Sequence, residues 1–230
     1  MSHRSKAGLL RYGEDMEGIV RLANLSEVWV TAGRPLQAPA EIAKGIKTWI
    51  RDIPEFKEFL LSLPPEVDRK YVRYTVSNCR LTFAERFIAT MVWGYGNVGY
   101  GPYRVSKMLA SENLDTKLSM SWGLAREGSA LDAYNYLKDN RIEQLGPAFA
   151  TKWLYFCSDA PVEIPIYDSV VARWIGEHAK EHFAGVSISS EYWSANTYSR
   201  YLNFLSKASQ LTGLKAGDLE YLIFLDAQSN

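Results

Sequence analysis

Along most of the chain apolar residues return every three to four positions, and strict two-residue alternation is rare. The pattern therefore predicts an almost wholly helical, all-α protein. The periodic segments place helices at about 39–51, 54–62, 65–78, 82–93, 102–112, 128–139, 147–158, 168–184, 189–211 and 215–228. Pro102 and Pro147 stand where a first helical turn has no use for an amide hydrogen, and Asp168 stands as an N-cap before "SVVARWI". The stretch "VWVTAGRP" is β-prone and short, and is expected as an isolated extended piece. No internal repeat, low-complexity segment or long linker interrupts the pattern, so residues 1–230 read as one compact helical unit, with room for two lobes around a cleft.

Composition narrows the class without deciding it. With 230 residues, 47% of them hydrophobic, the chain can bury one substantial core. Lysine plus arginine equals aspartate plus glutamate, 26 each, so the overall field gives nucleic-acid binding no support. Positive charge gathers locally in "DRKYVRY" and "GPYRVSK" and acid in "GEDMEG" and "LEYLIFLDAQ", each of which also reads as a solvated helix face. The two cysteines, Cys79 and Cys157, are far apart and form no CxxC pair, which removes a disulfide framework and a four-cysteine zinc or iron–sulfur site. A reducing cytoplasm is the expected location. The start, "MSHRSKAGLL", is basic but leads into charged residues, and no apolar run reaches membrane-spanning length, so neither targeting nor a membrane partner is expected.

Two motifs suggest chemistry that their context does not support. "GYGNVGYG" holds Gly94, Gly96 and Gly99 in the GxGxxG spacing of dinucleotide-binding turns, which need a strand before them. Here "TFAERFIATMVW" precedes it, with Phe83, Phe87 and Met91 one turn apart, so the glycines belong to a loop between helices and no cofactor is expected. That loop is either a plain connection or a surface whose tyrosines stack on a partner. "HAKEH" places His178, Glu181 and His182 in an HxxEH spacing that would put two zinc ligands and a general base on one helix. Both histidines fall on the side of Val171 and Ile175, and no third ligand is singled out, so packing histidines are the expectation and a zinc-dependent hydrolase the alternative.

In "FATKWLYFCSDAPVEIPIYDS" a single lysine lies inside an aromatic-rich helix. At a hundred degrees per residue Lys152 projects between Tyr155 on one side and Phe149 and Phe156 on the other. It is either a snorkelling lysine or a desolvated amine able to act as a nucleophile. "PVEIPIYDS" reads as an extended turn that delivers Asp168 to a helix start, and Leu145, Gly146 and Pro147 make a tight hairpin whose free amides suit a phosphate.

This order of helix, hairpin, helix, lysine, turn and capping aspartate resembles the helix-hairpin-helix DNA glycosylases, in particular their 8-oxoguanine glycosylase-like branch. Thr151 and Lys152 match the family's threonine–lysine pair, Asp168 follows 16 positions after the lysine, and the hairpin and catalytic helices occupy about 140–184. The resemblance implies that Lys152 attacks the sugar C1′ carbon and that Asp168 accepts a proton and stabilises positive charge on the ribose. It also implies DNA contact through Asn97, Tyr100 and Arg104 in "WGYGNVGYGPYR", and through Gly146 and Thr151 at the hairpin. "EYLIF" is similar to the family's base-reading helix, which implies that Glu220 reads the extruded base and Phe224 stacks on it, with Phe156 against its opposite side; Glu220 also reads as an exposed acid of a final helix. The sequence departs from the family in its "LGPAFATK" hairpin, in Val170 two positions after the aspartate, and in lacking an N-terminal sheet domain.

The expected function is a monomeric DNA N-glycosylase that needs no cofactor or metal and acts on double-stranded DNA carrying a modified base. The neutral charge, the missing N-terminal sheet domain and the altered hairpin direct the expectation to a glucosylated hydroxymethylcytosine-type base of phage DNA, hence antiviral defence, and next to 8-oxoguanine repair; aromatics such as those of "SSEYWSANTYSRY" are available to stack on a sugar. A non-catalytic helical DNA-binding module is the further alternative.

Overall fold

A computed structural model describes residues 16–35, 38–97, 99–158 and 163–229. The basic start "MSHRSKAGLL" and the first residues of the predicted turn, Pro161 and Val162, lie outside them. Among the described residues twelve α-helices carry the chain: α1 (Glu17–Thr31), α2 (Ile46–Asp52), α3 (Lys57–Ser62), α4 (Arg69–Ser77), α5 (Phe83–Tyr95), α6 (Gly101–Leu109), α7 (Leu114–Arg126), α8 (Ala130–Asp139), α9 (Pro147–Cys157), α10 (Ser169–His178), α11 (Ala195–Thr212) and α12 (Ala216–Gln228). The only sheet there is one antiparallel pair, β1 (Ala40–Glu41) with β2 (Glu66–Val67), in the register Ala40 to Val67. The all-α expectation holds. No described helix is long and apolar enough to cross a membrane.

Local sequence explains most boundaries. Asp68 accepts the amide hydrogen of Tyr71 at 2.6 Å and so caps α4, while Thr82 and Glu85 exchange hydrogen bonds in a capping box that starts α5. Pro147 opens α9 and Pro102 lies in the first turn of α6, as their sequence positions require. Three expectations are corrected. "VWVT" is the end of α1, because Ile19, Leu22, Ser26 and Trp29 line one buried face while Val28 and Val30 point to solvent. α7 forms where no helix is predicted, and the predicted helix 168–184 breaks at His178 into α10 and a 3-10 turn, Lys180–Phe183.

The chain forms two compact units. The larger comprises Pro35–Asp168 and Ser190–Ala195, as far as they are described, and centres on α9, which packs against α4, α5, α7 and α8. Every residue from Ala150 to Cys157 is buried, so α9 is enclosed on all sides, and apart from Thr151 and Lys152 its buried residues are apolar or aromatic. Trp153 meets Phe87 edge-on at 5.6 Å and donates its indole hydrogen to Ser121 Oγ at 2.9 Å, which satisfies the one polar atom of a large core ring. Cys157 is buried at the end of α9, whereas Cys79 is exposed just after α4.

The smaller unit comprises the described parts of Met1–Arg34, Ser169–Ser189 and Asn196–Asn230, and in it α10 packs against α1 and α12. Asp226 ties these three helices together. It accepts Arg21 Nε at 2.6 Å, Arg21 Nη2 at 2.9 Å and Trp174 Nε1 at 2.7 Å. Burial pushes its carboxyl up, but the Arg21 and Trp174 hydrogen bonds outweigh burial and hold it below the usual carboxylate range. A depressed carboxylate stabilises the fold above its unfolded value of about 4 and loses that contribution as pH falls through the folded value. Asp226→Asn is therefore expected to lower stability at neutral pH by about 1–3 kcal/mol and to flatten the acid limb of the melting-temperature profile, which thermal melts between pH 7 and pH 3 will read.

Candidate active site

α8 and α9 pack against each other within the larger unit and are joined by a short turn, residues 140–146, to make a helical hairpin. Its connecting turn is held from outside by three side chains: Arg104 Nη2 donates to Gln144 O at 3.3 Å, Lys117 Nζ to Arg141 O at 2.8 Å, and Ser111 Oγ accepts the amide hydrogen of Glu143 at 2.9 Å. Gln144 takes a left-handed φ of 62°, the conformation that glycine adopts most easily. Gly146 is extended, with φ −88° and ψ 170°, and a Cβ added there would meet nothing within 4 Å. Neither its dihedrals nor its packing requires glycine, so what the residue offers is unobstructed approach to its backbone. Gly146→Ala is therefore expected to leave the melting temperature unchanged, which a thermal melt will measure.

Lys152 is the only charged residue of α9. Its Nζ donates to Asp168 Oδ2 at 2.7 Å, and the two side chains are only 11% and 15% exposed. The ammonium also lies 5.4 Å from the centre of the Phe149 ring. Phe149 in turn stacks on Tyr95, with centroids 4.0 Å apart and planes 20° from parallel. Burial pushes the Tyr95 phenol up and the positive charge of Arg104 pulls it partly back, so it stays neutral. Gly94 completes the setting: a Cβ there would sit 2.9 Å from Phe149 Cε1 and 3.2 Å from Lys152 Cδ, so the lysine stem and the aromatic ring fill the space that a side chain would take. Sequence reading treats Gly94 only as part of a misleading glycine motif. Its role becomes visible only when α5 and α9 are packed together.

Asp168 arrives by the irregular segment 163–168 and immediately precedes α10. Thr151, beside the lysine, has no exposed surface; its Oγ1 accepts the Tyr167 amide hydrogen at 3.0 Å and approaches Ala148 O at 3.1 Å and Tyr167 O at 3.4 Å. The expectation that Thr151 contacts DNA is corrected, because a hydroxyl enclosed in the protein and bonded to its backbone cannot reach a phosphate. Burial, with a smaller contribution from Tyr134, pushes the Tyr167 phenol well above its ordinary range.

The remaining predicted residues divide by exposure. Asn97 and Tyr100 are exposed, Tyr100 at 78%, and Arg104 is half-buried at its contact with the hairpin. Phe156 is 2% exposed and meets Trp93 and Tyr155 edge-on, each at 5.0 Å. Glu220, on α12, is 1% exposed, so the exposed-acid reading fails; Phe224, one turn later, is half-buried. Of the aromatic stretch "SSEYWSANTYSRY", Tyr198 and Tyr201 are fully buried while Tyr192 is exposed.

The histidine motif does not assemble. His178 ends α10, whereas Glu181 and His182 belong to the following 3-10 turn, so they do not share one helical face. The His178 ring lies 5.1 Å from Trp174 and the His182 ring 5.1 Å from Phe204, as packing histidines do. No group of three histidine, cysteine, aspartate or glutamate side chains among the described residues is arranged to hold a metal ion.

The model of a protein family described as "Putative 8-oxoguanine DNA glycosylase OGG-like protein" matches residues 37–224. The chain belongs to this family. No curated protein and no solved structure matches it. As an OGG-like DNA glycosylase, the protein has DNA as its substrate. The matched residues take in the α8–α9 hairpin, the Lys152–Asp168 pair, the loop after α5 and α12 through Phe224.

Proposed function

We propose that this OGG-like glycosylase flips a modified base out of double-stranded DNA and cuts its N-glycosidic bond with Lys152 as nucleophile and Asp168 as its partner. One observation carries the reading: a lone lysine in an otherwise apolar helix has its amine 2.7 Å from a carboxylate that an irregular segment brings to it. An ion pair this enclosed contributes little net stability, because desolvation offsets the attraction, so its place inside an aromatic core favours a chemical role. Asp168 takes a proton from the ammonium, and the freed amine forms a bond to C1′ as the bond from C1′ to the base nitrogen breaks. The bonding electrons leave with the base, which takes up the proton that Asp168 had accepted, and the carboxylate so restored faces the positive charge that remains on the sugar. Ring opening of the amine adduct gives a Schiff base, from which water releases an abasic site or β-elimination cleaves the strand.

The DNA face consists of Asn97 and Tyr100 in the loop after α5, Arg104 in the first turn of α6, and the hairpin turn at Gly146. The Arg104 contact with Gln144 joins these two elements. Glu220 reads the extruded base and Phe224 stacks on it. In its ionised form Glu220 can only accept hydrogen bonds, which suits an exocyclic amine such as cytosine N4 or the donor edge of a guanine. The favoured base is glucosylated hydroxymethylcytosine. The neutral chain and its exposed aromatics, Tyr100 and Tyr103, suit a bulky sugar-bearing group more than tight electrostatic binding of unmodified duplex, and removal of such bases from phage DNA is an antiviral activity. Excision of 8-oxoguanine is the second reading, favoured by the printed description of the family.

The test is incubation with duplexes carrying normal, oxidised or glucosylated bases, followed by abasic-site detection, for wild type, Lys152→Ala and Asp168→Asn. The wild type should release one modified base and both variants almost none. Equal behaviour of the three proteins on every duplex would sink the mechanism. Borohydride trapping of wild type on DNA separates amine attack, which leaves a covalent adduct, from activation of water, which does not.

A further inference from the structure

We infer that Thr151 is a positioning residue that sets the distance between the amine and the carboxylate, an inference that rests on the reading of Lys152 and Asp168 as the reacting pair. The segment 163–168 has no helix or sheet ladder to fix it, so its place depends on individual hydrogen bonds. Two buried hydroxyls of α9 and its C-terminal edge supply two of them. Ser158 Oγ accepts the Ile164 amide hydrogen at 3.2 Å, and Thr151 Oγ1 accepts that of Tyr167 at 3.0 Å. The second bond is the decisive one, because Tyr167 is joined to Asp168 by a peptide bond.

The two links run in register: Thr151 to Tyr167 and Lys152 to Asp168 each span 16 residues. α9 therefore grips consecutive residues of the returning segment with consecutive residues of its own, one through a neutral hydroxyl and one through a charge. The hydroxyl does not touch the reacting atoms. Without it the Tyr167 amide hydrogen lacks this acceptor in a buried place, and the backbone shifts to find another. A shift of about 1 Å takes a 2.7 Å contact beyond hydrogen-bond length, and misplacement of that size costs catalysis far more than it costs binding.

Thr151→Val keeps the shape and removes the acceptor, and Thr151→Ser keeps the acceptor. On a duplex carrying glucosylated hydroxymethylcytosine or 8-oxoguanine, whichever the wild type cleaves, Thr151→Val should bind within about twofold of wild type and excise roughly 10–100-fold more slowly in single turnover. Thr151→Ser should excise within about threefold of wild type. Exchange of the Tyr167 amide hydrogen, followed by NMR without DNA, should quicken in the valine variant and not in the serine variant. If the valine variant does not fold, Thr151→Ala carries the same expectations.

The inference is overturned by a valine variant with wild-type excision, by a serine variant as slow as the valine one, or by duplex binding that falls in step with the rate. If wild type releases no base from any duplex, it is the catalytic reading that fails. Amide exchange then still decides the clamp, because unchanged exchange in the valine variant shows that Thr151 does not hold Tyr167.

Discussion

Lys152→Ala is expected to abolish base excision, slowing single-turnover release by roughly a thousandfold or more, since it removes the attacking group itself. Asp168→Asn should cost about 10²–10⁴-fold, the range for a group that moves a proton in the transition state. The same substitutions have an opposite lesson for stability. Each single variant leaves an enclosed charge without the partner it has at 2.7 Å and is expected to lose about 1–3 kcal/mol, less than for a fully buried pair because 11% and 15% of the two side chains remain exposed. Lys152→Met combined with Asp168→Asn removes both charges and should recover most of that loss, or exceed wild type, while remaining inactive. Urea denaturation of the three variants measures this. A double variant less stable than either single one would mean that the pair holds the larger unit together, and the inference from its weak structural value to a chemical role would fail.

Gly94→Ala is the second substitution with a large expected effect, and it acts on Lys152 without touching its chemistry. Two contributions compete. Replacing a helical glycine by alanine gains up to about 1 kcal/mol in backbone terms, whereas overpacking a filled site costs about 1–3 kcal/mol. The added Cβ would stand 2.9 Å from Phe149 Cε1 and 3.2 Å from Lys152 Cδ, so overpacking wins. Phe149 is stacked on Tyr95 and has little freedom to retreat, which leaves the lysine stem to move. The expected outcome is a small loss in melting temperature, unchanged duplex binding and excision slowed by roughly 10–100-fold. Excision at the wild-type rate would show that the lysine tolerates displacement and that the close approach of α5 to α9 is packing alone.

Much of the architecture can be read from periodicity, and the failures have identifiable physical causes. α7 goes unpredicted because two positions of its buried face, Ser121 and Ala125, are small or polar, and Gly123 interrupts the pattern. α1 is misread because the β-branched Val28 and Val30 dominate local propensity, while burial runs through Ile19, Leu22, Ser26 and Trp29. At the site, Lys152 and Asp168 are legible because a charge inside an aromatic helix and an aspartate before a helix start are local signals. Thr151 and Gly94 are not, since one depends on an amide 16 residues away and the other on a helix more than fifty residues earlier. Phe156 shows the limit of spacing: it lies one turn beyond the lysine, but its contacts with Trp93 and Tyr155 depend on α5 and cannot be read from the periodicity of α9 alone.

The unequal placement of the two cysteines offers a practical handle. Cys79 is exposed and Cys157 is buried in the core, so a maleimide dye at native conditions attaches at one known point of the larger unit without any substitution. Singly labelled protein of this kind permits duplex encounter and product departure to be timed by fluorescence on an otherwise natural chain.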